Sequence, residues 1–474
     1  MTEAPSKIAV VPELDFQPKE VSAPSSFKYN KVFPEESQSI TLQAAGTTRA
    51  TFILPDVGMN LSKSVLSFIL QIPESATASH VNWIHQGGYC YIENISLKTT
   101  SGNVIGELRG VGNYTRMVLP YSTSVEKLLT KEKAFGRATA AACKDSGIGD
   151  GFNRTDILSG TAMAAASPNG QELQCIDANA AILKNCDINY TDVSELLVGV
   201  ARDGAAAGDV FQQIRLPLGE LIDTIFAVNK TLVWNQQVII EIDFQQGNKM
   251  GFTCASATAL TSPATIATTP ALTYCQLYLA VEQNDAIVAD LRRMFASGFS
   301  MPVPYVHMKK TQTGTSGVTS VTFRLNRAHG QKLRRVYNGW FHATETGTTA
   351  FCRGNETAGV VSGVRSLIMN VPRQDYTMGV ANGECYLANR DLIKGSVAAQ
   401  SHANFEHHFT WIDDFSGVKT VDIKDKQTWD QGLDIILDSD YTVESTMGAV
   451  AKFLYQYAVC QRTLMFKDNV VLVQ

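Results

Sequence analysis

From residue 38 onward, hydrophobic side chains recur at every second position. Ile40 and Leu42 alternate with Ser39 and Thr41, and Ala50, Phe52 and Leu54 alternate with Thr51 and Ile53 as far as Pro55. Leu66, Phe68, Leu70 and Ile72 share a face that Pro73 ends. A period of two marks a half-buried β-strand, because successive side chains point to opposite faces of a sheet. Tyr89–Thr99 predicts a further strand, which Ser101-Gly102-Asn103 turns into Val104–Leu108 as a hairpin. The pattern returns at Val238–Phe244, where Val238, Ile240, Ile242 and Phe244 alternate with Ile239, Glu241 and Asp243. After a Thr/Ala/Ser/Pro loop at Gly251–Pro270, the residues Thr273, Cys275, Leu277, Leu279 and Val281 predict one face of another strand. Later strands are expected around Val321, Phe323 and Leu325, at Arg335–His342 around Trp340, and at Arg365–Val371 up to Pro372. Leu433, Ile435 and Leu437 share a face, Lys452–Phe466 reads as one very long strand or a bent pair, and Val470–Val473 follows the turn Lys467-Asp468-Asn469.

Two segments read as helices. Leu218–Phe226 places Leu218, Leu221, Ile222 and Ile225 on one side, and Ala286–Ser297 carries Ile287, Leu291 and Met294/Phe295 as a stripe. Asp285 is the expected N-cap of the second and Gly298 its end. Between about 134 and 210 the strand period fades into clusters of Ala with Gly, Ser and Asp, which predicts a long surface insertion. Residues 1–37 hold Pro5, Pro12, Pro18, Pro24 and Pro34, a density that resists helix and central strand alike. Leu14, Phe16, Phe27, Tyr29 and Phe33 make this arm too apolar for an inert tail, so it is expected to dock on a neighbouring surface. Many strands, long connections and few helices point to sandwiches rather than α/β layers. The expected fold class is all-β: two consecutive eight-stranded jelly rolls, a few short helices and an extended N-terminal arm. The expected division is an arm at 1–37, a first roll at 38–290 with the insertion, and a second roll at 291–474.

Composition sharpens this picture. Hydrophobic residues are 45% of the 474, which excludes a disordered chain. Charged residues are only 18%, which fits a surface covered by other copies of the chain. A net charge of −5 argues against a protein that coats nucleic acid by charge. The N-terminus lacks the basic and apolar regions of a signal peptide, so export is not expected, and no run of about 20 apolar residues predicts a membrane helix. Nine cysteines without a CxxC pair, an odd count, read as reduced thiols. Seven Asn-x-Ser/Thr sequons, from Asn60 to Asn355, read as chance products of a Thr/Ser/Asn-rich chain.

The search for chemistry yields weak constellations. Glu241 and Asp243 share a strand face roughly 7 Å apart, a spacing open to glycosidase work, yet they alternate against an unbroken apolar face. His402, Glu406, His407 and His408 resemble a metal-ligand cluster, but adjacent His407 and His408 point to opposite faces of a strand. Asp145–Gly151 is glycine-rich without the GK[ST] ending of a phosphate loop. Arg324, Arg327, Lys332, Arg334 and Arg335, near Tyr337 and Trp340, form the one local basic cluster, open to nucleic acid or to salt bridges along a strand edge. No catalytic set, metal or cofactor site is expected.

Three stretches in order carry a resemblance. They are the arm leading into Ile40–Leu54 with Val57–Ser64, then Ile214-Arg215-Leu216-Pro217-Leu218-Gly219-Glu220-Leu221 before Val238–Phe244, and then Leu277–Val281 running through the helix into Gly298-Phe299. In this order and pattern the chain resembles the double jelly-roll major capsid proteins of Polinton-like viruses, virophages and related eukaryotic DNA viruses, from about residue 30 to its end. The 134–210 stretch has no counterpart in that likeness. The resemblance implies a homotrimer forming a pseudo-hexagonal capsomer that tiles an icosahedral virion shell assembled in the host cytoplasm or nucleus. It implies the chain itself, penton proteins and minor capsid proteins as partners, and an internal membrane as a further candidate. The arm would lie on the inner side of the shell, and Phe16, Phe27, Tyr29 and Phe33 are its expected anchors. Sequence-specific nucleic-acid binding is not expected. Two other readings stay open: a β-sandwich spike binding receptors or glycans through its loops, and a carbohydrate-active enzyme using Glu241 and Asp243 or the 402–408 region.

Overall fold

The structure is a computed structural model. It describes residues 25–44, 46–72, 81–84, 88–122, 172–173, 188–189, 210–254, 264–266, 269–314, 317–324, 332–342, 361–380, 382–393, 409–415, 433–434, 440–448, 452–467 and 470–473. The first half is built from β1 (Phe27–Val32), β2 (Thr48–Leu54), β3 (Met59–Ile72), β4 (Ile92–Thr99), β5 (Val104–Arg109), β6 (Val210–Pro217), β7 (Val238–Phe244) and β8 (Ala271–Glu282). These strands form two antiparallel sheets, in the orders β1-β8-β3-β6 and β2-β7-β4-β5. The second half runs through β9 (Phe299–Gln312), β10 (Gly317–Arg324), β11 (Lys332–His342), β12 (Val361–Ile368), β13 (Val371–Pro372), β14 (Thr410–Asp414), β15 (Asp440–Met447) and β16 (Lys452–Lys467). Its sheets are β9-β16-β11-β14 and β10-β15-β12-β13. Subtracting eight from each number in the second half reproduces the order of the first. Two interleaved four-stranded sheets of this kind make a jelly roll, so the chain is a double jelly roll.

Alternation explains why these strands stay where they are. In β7 the residues Val238, Ile240, Ile242 and Phe244 are fully buried, while the three between them are half-buried. β7 pairs Ile240 with Phe52 of β2 and with Leu97 of β4, so three strands place their apolar sets on one face. Each such side chain contributes roughly 1.5–3 kcal/mol on burial, and a slip of one residue would turn the whole set to solvent. The hairpin from β4 to β5 turns through Gly102 at φ 89°, as its Ser-Gly-Asn turn predicts. β16 is a single 16-residue strand, and Val470–Val473 pairs back on its end.

Several expectations are corrected. Leu218–Phe226 is not a helix. It is two 3₁₀ turns, Leu218–Glu220 and Ile225–Ala227, separated by Asp223 at φ 57°. The four predicted side chains are all buried, but Gly219 passes so close to β3 that a Cβ there would lie 2.3 Å from the Ser62 carbonyl oxygen. In β8 the apolar face begins at Leu272 rather than Thr273. Tyr274, at φ 52°, forms a bulge that shifts the register before Cys275. Gly251–Pro270 is not wholly loop, since Gly251–Cys254 pairs with Val81–Ile84 and with Ala264–Thr265. Arg365–Val371 is not one strand: β12 stops at Ile368, and Met369 and Asn370, both at positive φ, turn it into β13.

Among the described residues three α-helices carry connections: α1 (Val111–Ser122), α2 (Asp285–Ser297) and α3 (Glu384–Ile393). The N-cap of α2 is Asn284, whose side chain accepts from the Ala286 N–H, and not Asp285. Its inward side is Val288, Leu291 and Phe295, while Met294 is exposed. Strand β1 lies inside the stretch expected as an extended arm. It pairs with β8 from Phe27↔Glu282 to Val32↔Leu277, and it begins where Ser25 Oγ donates to Glu282 Oε2 (2.5 Å) and the Ser26 N–H donates to Glu282 Oε1 (3.0 Å). Burial alone would raise the Glu282 pKa, but these hydrogen bonds and those of Asn284 and Gln283 hold it below the usual carboxylate range.

Candidate assembly interfaces

The two rolls meet over a continuous hydrophobic core. β16 is the central element of the contact. Leu454, Gln456, Ala458 and Cys460 of this strand are buried, and so are Tyr455, Tyr457 and Val459 between them. One set faces the second roll's own core, where Gln456 donates to Asn338, and Asn338 in turn donates to the Tyr441 hydroxyl of the opposite sheet. The other set faces the first roll. There the Tyr457 hydroxyl donates to the Gly110 carbonyl (2.9 Å), and its ring meets Tyr114 of α1 edge-on at 5.0 Å. Tyr337 of β11, paired with Tyr457 across the sheet, meets the same Tyr114 at 5.9 Å. Gly339 lets Met117 of α1 lie against the sheet, since a Cβ there would sit 2.7 Å from the sulfur. Phe466 stacks on Phe295 at 4.4 Å and packs near Trp234 at 5.8 Å, so α2 is clamped between the rolls.

A polar cluster lies inside this contact. Tyr337 Oη donates to Asp223 Oδ2 of the first roll (2.9 Å), and Arg335 Nη1 reaches the same oxygen at 3.4 Å. Arg335 Nε faces Asp414 Oδ1 at 3.5 Å. Arg335 and Asp223 are both almost wholly buried. Burial opposes the Arg335 charge, but Tyr337, Asp223 and Asp414 outweigh it and raise its pKa, so the guanidinium stays charged. Burial and Asp223 raise the Tyr337 pKa, so its hydroxyl stays a donor. A buried ion pair of this kind fixes geometry more than it adds stability, because desolvation offsets most of the attraction. A second buried carboxylate, Asp413, accepts from Tyr441 (2.5 Å), Trp411 (3.0 Å) and Ser366 (3.0 Å) and faces Arg373, which ties the two sheets of the second roll together.

The candidate chemistry is placed as follows. Glu241 and Asp243 are taken up in ion pairs on the outer face of β7: Lys98 Nζ lies 2.5 Å from Glu241, and Arg49 bonds Asp243 at 2.7 Å. The basic cluster does not form one surface. Arg334 and Arg335 are buried in a central strand, Arg324 is exposed beside Asp440, and Arg327 lies outside the described residues. The strand-edge expectation is therefore corrected, since Arg335 lies in a central strand and its pair with Asp223 joins two rolls of one chain. Residues 145–151, His402, Glu406, His407 and His408 also lie outside the described residues, as does most of 134–210. Among the described residues no cluster of His, Cys, Asp and Glu could hold a metal, and no helix is long and apolar enough to cross a membrane. Cys90, Cys275, Cys385 and Cys460 are buried and outside any disulfide, and burial pushes the thiols of Cys275, Cys385 and Cys460 up to about 12.

Of the expected arm anchors, Phe16 lies outside the described residues. Phe27 is half-buried on its own roll, with Lys63 Nζ 3.9 Å above its ring. Tyr29 and Phe33 stay open at 59% and 47% exposure. Sequence reasoning missed β6, β9, β14, β15, α1 and α3. For α1 the signal was present: Val111, Tyr114, Met117 and Val118 recur at helical spacing and are all buried.

No protein-family model matches the sequence, and no curated protein does. Solved structures match the fold over nearly its whole length. The PBCV-1 protein VP54, fitted into a reconstruction of the virophage Sputnik, aligns at TM-score 0.52 and 9% identity, covering 97% of this chain and 99% of that one. A chain of the Sputnik virophage structure aligns at 0.53 and 10% identity, covering 98% and 92%. The Faustovirus major capsid protein aligns at 0.53 and 9% identity, covering 98% and 93%.

Proposed function

We propose that the chain is a major capsid protein. Three copies associate into a pseudo-hexagonal capsomer, and capsomers tile an icosahedral virion shell. The observation that carries this reading is the internal repeat: two rolls with the same strand order, locked side by side across a buried contact. A body with two similar rolls gives three copies six similar corners, which suits a lattice of hexagons. The likeness of fold to a Faustovirus major capsid protein supports the same reading. Assembly then proceeds by burying apolar and backbone surface between copies, with many weak contacts summed. Penton and minor capsid proteins, and a membrane beneath the shell, are the further partners.

In this reading the segment before β1 reaches neighbouring capsomers with Phe16 as its contact residue, while Tyr29 in β1 and Phe33 just after it add exposed contact residues beside it. Phe27 instead secures β1 to its own roll. A deletion that tests the arm must stop at residue 24, because removing 1–35 would also take an edge strand of the first roll. The protein lacking residues 1–24 is expected to form capsomers with a reduced yield of closed shells. Negative-stain electron microscopy of the purified full chain tests the function itself. Six-sided particles or closed shells are expected, and a uniform population of single, unassembled chains would overturn the proposal.

A further inference from the structure

We propose that the open edge of β10, at Val318–Thr322, takes the Ile8–Val11 run of a neighbouring copy's arm as an added β-strand. The inference rests on the assembly reading above and names the surface that receives the arm. It is argued from a difference between the two rolls.

β2 and β10 hold the same place, each at the edge of its sheet and paired on one side only, with β7 and with β15. By burial, Val321 and Phe323 correspond to Phe52 and Leu54, so Ser320 stands where Thr51 stands. On β2 that position is closed. The Glu35 N–H donates to the Thr51 carbonyl (2.9 Å), and the Thr51 N–H donates to Glu36 Oε2 (2.9 Å). Residues 33–47 make this possible, since the connection from β1 to β2 is long enough to fold back along the edge. The connection from β9 to β10 is residues 313–316, too short to do so. In an antiparallel ladder the N–H and C=O of one residue point to the same side, and successive residues alternate. Val318, Ser320 and Thr322 therefore turn their backbone groups away from β15. Among the described residues the Thr322 carbonyl accepts from Lys309 Nζ, while Val318 and Ser320 have no such partner.

Val318 is 71% exposed, and Ser320 is exposed as well. An unpaired edge of this kind is a template for another strand, and edges are commonly guarded by charge or proline. β1 is guarded by Lys28 and Lys31, and β9 by Pro302 and Pro304. β10 reads Gly-Val-Thr-Ser-Val-Thr-Phe-Arg, with no charge before Arg324 and no proline. Its Val and Thr residues suit a further pairing. The chain itself supplies a fitting strand. Residues 1–24 lie outside the described ones, and within them Ile8-Ala9-Val10-Val11 is the run richest in β-branched residues, bounded by Pro5 and Pro12. Its length matches the open stretch of β10. An added strand of this kind takes its affinity from main-chain hydrogen bonds. The direction of the arm points to another copy. β1 and β2 form one side of the first roll, β5 and β6 the other. The second roll packs on the β5 side, where Tyr305 Oη donates to Glu107 and Arg462 Nη1 to the Val104 carbonyl. The arm leaves at Ser25, on the β1 side, turned away from its own second roll. From Ser25 back to Val11 an extended chain spans up to about 50 Å, enough to cross onto a neighbour.

The test pairs cross-linking with shell yield. Val10→Cys protein and Ser320→Cys protein, carrying different tags, are assembled together and treated with a short bis-maleimide. Covalent pairs that contain both tags, at a level neither variant alone nor the wild type reaches, are expected. Separately, Ser320→Pro removes the outward N–H donor at a place where an edge strand tolerates proline. It is expected to leave the melting temperature and the capsomer mass unchanged, and to lower the yield of closed shells to that of the protein lacking residues 1–24. Combining the two changes is expected to lower the yield no further. Mixed shells without pairs carrying both tags overturn the inference. So does a cross-link found only within single chains of the double variant Val10→Cys/Ser320→Cys. Ser320→Pro protein with the wild-type shell yield overturns it while leaving the capsid reading intact. A further loss of yield when Ser320→Pro is added to the truncated protein would mean that another strand takes the edge, and it overturns the inference as well. A wild-type chain that forms neither capsomers nor shells overturns both.

Discussion

The two equivalent sheets of this molecule have the same strand order and opposite surroundings. In β9-β16-β11-β14 the core face and the outer face are both covered, and Tyr337, Tyr455 and Tyr457 are at most 5% exposed. In β1-β8-β3-β6 the outer face is half-buried at Val65, Ile69 and Tyr278, and at its edge Tyr29 is 59% exposed. Topology therefore does not decide whether a sheet face is an interior. What decides it is whether a neighbouring body supplies acceptors for the hydroxyls and charges that the face carries. On the closed sheet, Gly110 and Asp223 of the first roll receive Tyr457, Tyr337 and Arg335. Without that roll, one guanidinium and two phenols would lie on an exposed aromatic surface. The two rolls are on this account one folding unit.

Four substitutions break or sharpen this contrast. The largest effect belongs to the junction ion pair. Asp223→Ala leaves the buried Arg335 with Asp414 as its remaining carboxylate and removes the Tyr337 acceptor, so urea unfolding should show a loss of about 3 kcal/mol. Loss of one transition midpoint into two, one per roll, would show that the junction also carries the cooperativity. Tyr457→Phe keeps the ring but removes one of the two hydrogen bonds to the Gly110 carbonyl, which still accepts from the Tyr114 N–H, and should cost about 0.5–1.5 kcal/mol in the same assay. Glu282 sets the acid limb. Its folded pKa is lowered, so its stabilising contribution is present above its unfolded pKa, about 4.3, and is lost as pH falls through the folded value. Glu282→Gln should flatten that limb of the stability curve and increase amide exchange in β1. An unchanged acid limb would mean that the clasp on Ser25 and Ser26 contributes nothing. The smallest effect belongs to the open sheet: Tyr29→Ala should change the stability of a single chain by no more than about 0.5 kcal/mol. A loss as large as that of Asp223→Ala would erase the distinction between the two sheets.

Much of this architecture was legible where one face of a strand is wet. β2, β3 and β7 alternate cleanly, and the hairpin between β4 and β5 is written in Ser101-Gly102-Asn103. Legibility failed where a second constraint overrode the period. β9 was hidden by Pro302 and Pro304, which are tolerated because this edge strand pairs only with β16. The bulge at Tyr274 shifted the face of β8 by one residue, and the approach of Gly219 to Ser62 turned an apolar helical spacing into two tight turns. The basic cluster misled for a different reason. Arg335 looks like surface chemistry in one dimension, and only the docking of Asp223, 112 positions earlier, makes it interior. The arm anchors divided along the same line, since Phe27 found Lys63 on its own roll while Tyr29 did not close.

The most direct test of the account is the mass of the purified full chain in solution, measured by light scattering across a range of concentrations. Three chains per particle, stable on dilution, is the result expected of a capsomer-forming chain. A single chain at every concentration would contradict it.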